Sequence, residues 1–186
     1  MVNMLKVWIR LLGLTAAVPC LCQCSSTTVN RAWAGYDPLQ SPPAETSETL
    51  ARESVHLESR LLKHPGDQRS LARLADIRFL QKREREAVEL YRRHLSGSRR
   101  PVSAERRARF GTALLHIEQN GEARTVLEQV LKEDPRNARA LLSYAEYQAD
   151  IVGNSAYAMD LLQRAKQTGE VFVPPDFEQA LLHNLN

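Results

Sequence analysis

Residues 104–137, AERRARFGTALLHIEQNGEARTVLEQVLKEDPRN, carry the pattern that decides the fold. Small residues mark the two halves of this stretch at Gly111 and Ala123, Leu127 follows the second by four positions, and Pro135 closes it. Small residues let two helices approach closely while large neighbours fill the remaining gaps, and proline cannot continue a helix interior. The stretch therefore predicts a pair of antiparallel helices.

The pattern recurs on both sides of this stretch at a period of about 35 residues. The small residues of the first halves are Ala75, Gly111 and Ala145, spaced 36 and 34. Those of the second halves are Ala87, Ala123 and Ala158, spaced 36 and 35. Such a period is typical of stacked helix pairs, in which each pair buries its apolar face only against its neighbours. We therefore expect an all-α fold that serves as a binding scaffold.

Composition and cysteine positions narrow the class of protein. The 186 residues are 43% hydrophobic and 25% charged, as expected of one soluble domain with short extensions. All three cysteines lie at positions 20, 22 and 24, and none follows. A disulfide framework or a cysteine metal site in the folded part is therefore excluded.

Residues 1–23 have the order of features that is typical of an export signal. Lys6 and Arg10 precede a short apolar run at 11–18. The run is too short to span a bilayer, for which a helix needs about 20 apolar residues. A cytosolic amphipathic helix is the alternative interpretation of this segment.

The end of this segment, LCQCSS at 21–26, resembles the cleavage box of bacterial lipoproteins. The resemblance implies that Cys24 is the first mature residue and carries the lipid. Ser25 then favours the outer membrane, with the protein facing the periplasm. Gln23 departs from the small residue that the family has before the cut. Ordinary signal cleavage after Ala34 is the alternative.

The rest of the chain divides into three parts. Residues 24–46 are rich in Ser, Thr and Pro and predict a flexible tether with an r.m.s. reach of roughly 25–30 Å. Residues 47–170 hold the repeat domain, which consists of a first helix that corresponds to half a unit and three full units. Residues 171–186 predict a helix that covers the apolar end of the stack, or else a docking element for a partner.

Residues 47–170 resemble the tetratricopeptide repeat, with units that start near Gln68, Ala104 and Ala138. The resemblance implies a right-handed superhelix of antiparallel helix pairs that binds proteins. The third unit has one extra residue, which we place in the turn at 152–155. Four residues are candidate amino-terminal helix caps: Asp67, Ser103, and either Asn154 or Ser155.

In this family the first helices line a concave groove that takes extended peptides or partner helices. The corresponding partner-binding positions are Arg69, Asp76, Phe79, Glu105, Thr112, Leu115, His116, Arg139, Leu142 and Glu146. Ala72 and Asp76 stand where the clamp for a terminal carboxylate would begin in one subclass. Recognition of chaperone tails is therefore not expected.

Charge is distributed unevenly along the chain. Residues 69–109 hold 13 Lys and Arg against 5 Asp and Glu, whereas residues 140–186 hold 2 against 6. A solvated helix surface explains this asymmetry, and an acidic partner or an anionic polymer at the basic end is the functional alternative. No nucleic-acid reading motif is present, so no nucleic-acid partner is expected.

Catalysis has little support in the sequence. The five histidines are scattered without metal-ligand spacing, and neither a nucleophile motif nor a glycine-rich phosphate loop occurs. We expect a non-enzymatic protein without metal or cofactor.

Three functions remain open, all of them based on architecture. The chain resembles tetratricopeptide lipoproteins of Tad/Flp and type IV pilus systems, which implies an adaptor that binds pilus or secretin components. A scaffold for cell-wall or exopolysaccharide enzymes and a periplasmic chaperone for extended peptides are the alternatives. The oligomeric state is left open.

Overall fold

The computed structural model describes residues 47–170, 173 and 175–183, and this part of the chain is all-α, without a strand. The eight helices are α1 Ser47–Lys63, α2 Gln68–Leu80, α3 Glu84–Gly97, α4 Ala104–His116, α5 Asn120–Glu133, α6 Ala138–Tyr147, α7 Ser155–Gln167 and α8 Pro175–His183. A π-helical turn, Gln148–Val152, continues α6. The signal, the tether and Cys24 lie outside the described residues.

The helices form three successive pairs, α2 with α3, α4 with α5 and α6 with α7. The two helices of the first pair are antiparallel, because Gln68 at the start of α2 contacts His94 near the end of α3. Arg78 near the end of α2 correspondingly pairs with Glu86 in the first turn of α3 at 3.1 Å. Each pair packs on the next, while α1 packs on α2 and α8 on α7. The three pairs begin at the residues where the repeat pattern places the units.

The small residues of the repeat are all buried. Ala75, Ala145 and all three alanines of the second helices have no exposed surface. Gly111 is also buried, and a Cβ atom added there would lie 2.7 Å from Cδ2 of Leu127. A side chain at Gly111 would therefore push α4 and α5 apart. This agrees with the prediction that a small residue lets the two helices of a pair approach closely.

Capping confirms part of the sequence prediction. The carboxylate of Asp67 accepts hydrogen bonds from two amides of the first turn of α2, and the side chain of Asn154 accepts one from Tyr157 in α7. The prediction for Ser103 is wrong, because its carbonyl accepts the first helical hydrogen bond but its hydroxyl caps no amide. Asn137, which was not predicted, caps α6 through the amide of Ala140 at 3.0 Å.

The extra residue of the third unit lies earlier than predicted. A residue with a left-handed backbone ends the first helix of each unit: Lys82, Glu118 and Gly153, at φ 58°, 63° and 75°. The first two stand 14 positions after the start of their helix, and Gly153 stands 15 positions after Ala138. The π-helical turn absorbs the additional residue within the helix, so the turn that follows keeps its form.

Candidate protein-interaction surface

The ten predicted groove residues lie on the first helices α2, α4 and α6, but half of them are buried. The buried five are Phe79, Asp76, Thr112, Arg139 and Leu142, each less than 9% exposed. Arg69 is exposed, and the other four, Glu105, Leu115, His116 and Glu146, are partly buried. The predicted groove therefore offers less free surface than its ten positions suggest.

Asp76 is the centre of a buried polar cluster between the first and second units. The hydroxyl of Tyr91 donates to its Oδ1 at 2.9 Å. Arg106 Nη2 lies 3.1 Å from Oδ2, and Arg109 Nη1 lies 3.3 Å from Oδ1. Burial, reinforced by the Asp76 charge, raises the pKa of Tyr91 well above its ordinary value. The carboxylate thus has a partner on each oxygen, as a buried charge requires.

The cluster continues into the third unit through two more predicted residues. Arg109 and Arg139 both bind Oε1 of Glu105, through Nε atoms at 3.2 and 2.9 Å. The guanidinium carbon of Arg139 lies 5.4 Å from the centroid of the Phe79 ring, within cation–π range. The structure therefore brings Asp76, Glu105, Arg139 and Phe79 together as a connection between units.

The remaining groove positions on α4 also make internal contacts. Thr112 donates to the carbonyl of Ala108 at 2.9 Å, and its hydroxyl lies 2.7 Å from that of Ser143 on α6. His116 Nδ1 lies 3.4 Å from a carboxylate oxygen of Glu84. These contacts tie α4 to α6 and to α3.

Glu146 differs from these residues because it has no basic partner among the described residues. Burial, together with the charge of Asp150 one turn later, raises the pKa of Glu146 to about 8. Burial also raises the pKa of Asp150 to about 6, and its Oδ2 atom is buried without a hydrogen-bond partner. The third unit thus holds two carboxylates with raised pKa values, of which Glu146 favours its protonated form near neutral pH.

Sequence reasoning missed Arg106, Arg109 and Tyr91, the three partners of Asp76. A usable signal was present, since two arginines three positions apart share one helix face. They lie at the start of the helix that follows Asp76 in the stack, where they could neutralise a buried carboxylate. The pairing is not visible within one unit, because Asp76 belongs to the first unit and both arginines belong to the second.

The free surface lies mainly outside the predicted groove. A shallow pocket of about 390 Å³ between α1, α2 and α3 has an apolar floor of Leu74 and Leu90 and a rim of five charged residues. The exposed large apolar side chains of the described residues lie only toward the two ends of the stack: Val55, Leu62, Ile151, Val152, Tyr157 and Leu182. Exposed apolar side chains of this kind are candidate contact points.

The described residues contain no cluster of three His, Cys, Asp or Glu side chains that could hold a metal ion. In the same part of the chain, no helix combines the length and apolar character needed to cross a membrane. No protein-family model matches the chain, and no curated protein is significantly similar to it.

Proposed function

We propose that the protein is a non-enzymatic adaptor whose repeats form a right-handed tetratricopeptide-like superhelix. The observation that carries this proposal is the succession of three helix pairs that begin at Gln68, Ala104 and Ala138, each packed on the next. In an array of this kind stability comes from contacts between neighbouring units, which leaves an extended surface for a partner.

The proposed adaptor is exported and anchored to the outer membrane by a lipid on Cys24, with the helical domain in the periplasm. The lipoprotein box at 21–26 and the polar tether at 24–46 support this placement. Several acyl chains on one cysteine hold a protein on a membrane where a single chain does so only marginally. The proposed partners are components of a pilus or secretion system.

Burial of the groove residues favours an adaptor over a chaperone for extended peptides. A chaperone groove needs accessible apolar side chains, but Phe79 and Leu142 are each only 2% exposed. The partly exposed groove positions are mostly polar, as in a surface that recognises one folded partner through directed contacts. Glu105 and His116 are therefore the groove positions that we expect a partner to touch.

Crosslinking in the native host tests the adaptor function, followed by affinity capture through a tag after Asn186 and mass spectrometry. We expect pilus or secretin subunits in fixed stoichiometry with the protein. A diffuse set of exported proteins would contradict the adaptor and indicate a chaperone, whereas cell-wall enzymes would indicate the scaffold.

Membrane fractionation tests the anchor independently. We expect Cys24→Ser to release the protein from the outer membrane, while Cys22→Ser serves as a matched control and leaves it attached. Release by Cys22→Ser and retention by Cys24→Ser would contradict lipidation at Cys24.

A further inference from the structure

One edge of the stack carries a dense group of positive charges. This basic edge comprises Lys63, His64, Arg69, Arg93, Arg99 and Arg100, and all six side chains are exposed. None of the residues was part of a predicted site except Arg69. Four of its residues, Arg69, Arg93, Arg99 and Arg100, belong to the 13 Lys and Arg of residues 69–109.

Contacts between two connecting segments bring these residues together. Arg93 Nη2 in α3 donates to the carbonyl of Pro65, in the turn between α1 and α2, at 3.2 Å. His94 Nδ1 lies 3.1 Å from Oε1 of Gln68, and a Cβ atom added at Gly97 would collide with the same glutamine. The end of α1, the start of α2 and the end of α3 therefore share one edge, together with the arginines that follow Gly97.

The positive charges of the basic edge are not neutralised by the described residues. The turn between α1 and α2 contains one carboxylate, that of Asp67. It pairs with Arg60 at 2.5 Å and caps α2, so it is not available to the basic edge. None of the five Lys and Arg side chains of the edge forms an ion pair with a described carboxylate. Elsewhere along the stack arginines are paired, for example Arg92 with Glu122 and Arg124 with Glu128.

Leu62 adds an apolar side chain beside these charges. It precedes Lys63 at the end of α1 and is 84% exposed, the highest value among the exposed large apolar residues. Val55, seven positions earlier and 65% exposed, lies on the same helix face. Apolar side chains next to Lys and Arg are typical of surfaces that lie in the interface of an anionic bilayer.

We propose that the basic edge binds the surface of an anionic phospholipid bilayer, with Leu62 entering the acyl boundary. Exposed guanidinium groups match phosphate oxygens, and basic side chains spread over three helix ends and two turns match a broad charged surface better than they match a single ligand. This inference rests on the proposed function in one respect: the lipid anchor is what would bring the domain close to a bilayer. Binding by the edge itself needs no lipid on Cys24.

Vesicle co-sedimentation tests the proposal with unlipidated chain 25–186. This chain keeps every buried core residue of the part that the structure describes, which lies between Leu50 and Leu181. The vesicles contain equal parts of phosphatidylglycerol and phosphatidylethanolamine, and neutral phosphatidylcholine vesicles are the comparison. We expect binding to the anionic vesicles only, and weaker binding at physiological ionic strength, where the Debye length is about 8 Å.

A charge-matched pair of variants assigns the binding to the edge. Each Lys or Arg near an anionic surface contributes about fivefold to the partition coefficient. The triple change Lys63→Gln, Arg99→Gln and Arg100→Gln should therefore weaken binding by about a hundredfold. The control, Arg52→Gln with Arg83→Gln and Arg124→Gln, removes the same charge from exposed positions near the starts of α1, α3 and α5, on the opposite side of the stack, and should change binding far less.

A second pair of variants tests the apolar contact. Leu62→Ser should weaken binding by about tenfold, whereas Ile151→Ser, at the other end of the stack, should leave it unchanged. Absence of binding to anionic vesicles at low salt, or equal losses in both triple variants, would overturn the proposal. Binding to polyglutamate that depends on the edge, without binding to vesicles, would overturn it in favour of an acidic protein. None of these results depends on capture of a pilus component or on fractionation of the Cys24 variant.

Discussion

Asp76 and Glu146 occupy the same place in two units, eight positions after the first residue of α2 and of α6. Asp76 is 5% exposed and bonded to Tyr91, Arg106 and Arg109. Glu146 is partly buried without a described basic partner, and its pKa is raised to about 8. Two carboxylates at one repeat position thus have opposite electrostatic surroundings.

The difference comes from the next first helix in the stack. Arg106 and Arg109 stand two and five positions after the start of α4. In the middle unit, Thr112 contacts Ser143, which stands five positions after the start of α6. The corresponding places on α8, counted from Pro175, are Phe177 and Ala180, which carry no charge. The charges around the position eight residues after the start of a first helix therefore come from the next unit. The third unit is followed only by the apolar face of α8, so Glu146 receives no cation from it.

Removing the paired carboxylate should have the largest effect. Asp76→Ala leaves two partly buried guanidinium groups and a buried tyrosine hydroxyl without their acceptor, so we expect a loss of about 2–4 kcal/mol in the free energy of unfolding. Asp160→Ala is the control, because its pair with Arg164 is exposed and should contribute less than about 0.5 kcal/mol. Urea denaturation measures both, and equal losses would contradict a central role for Asp76.

The three units differ in charge while sharing one mode of helix packing, and Gly111 tests whether the packing of the middle pair is equally close. Units one and three have alanine at its position, but a Cβ atom there would lie 2.7 Å from Leu127. We expect Gly111→Ala to destabilise the protein by about 1–3 kcal/mol in thermal unfolding. Gly121→Ala, with no atom within 4 Å of the added Cβ, should be neutral or stabilising. A harmless Gly111→Ala would show that the middle pair is loosely packed.

Protonation of Glu146 should make stability depend on pH. Between its ordinary pKa of 4.5 and the folded value of about 8, the folded protein retains a proton that the unfolded chain has lost. The contribution of Glu146 is therefore fully present below pH 4.5 and is lost as the pH rises through 8. We expect Glu146→Gln to raise the free energy of unfolding by about 1–2 kcal/mol at pH 8 and to have little effect at pH 4.

Urea denaturation across this pH range checks the prediction for Glu146→Gln. Glu118→Gln, at an exposed position, is the control and should follow the wild-type profile. A stabilisation that is the same at pH 4 and pH 8 would exclude titration of Glu146 as its cause.

A smaller effect should follow from supplying the missing cation. Ala180→Arg places a guanidinium on α8 at the position that corresponds to Arg109 on α4. We expect a gain of about 0.5–1 kcal/mol at pH 8 and a lower pKa for Glu146, observable by NMR titration. Gln179→Arg, at an exposed position on the same helix, should produce neither change. An unchanged pKa in Ala180→Arg would show that α8 does not occupy the place of a further first helix.

The sequence was sufficient for the features that repeat. Ala75, Ala87 and Ala123 are buried as predicted, and the helices begin at the expected residues, because each position depends on contacts that recur in every unit. The polar contacts could not be read in this way, since Asp76 and Glu146 differ only through the helix that follows them. The cation–π contact of Phe79 likewise could not be read from its own unit, because Arg139 lies two units further along the stack.

The π-helical turn at the end of α6 has an evolutionary consequence. An insertion in a helical array normally displaces every later helix relative to the earlier ones. Here the additional residue is taken up by one wide turn, so Gly153 and α7 keep the relation that Lys82 and α3 have in the first unit. Neighbouring units can therefore diverge in length by single residues without a compensating deletion. Asp150 lies within the same lengthened turn, at the position where the shorter units have Leu80 and His116.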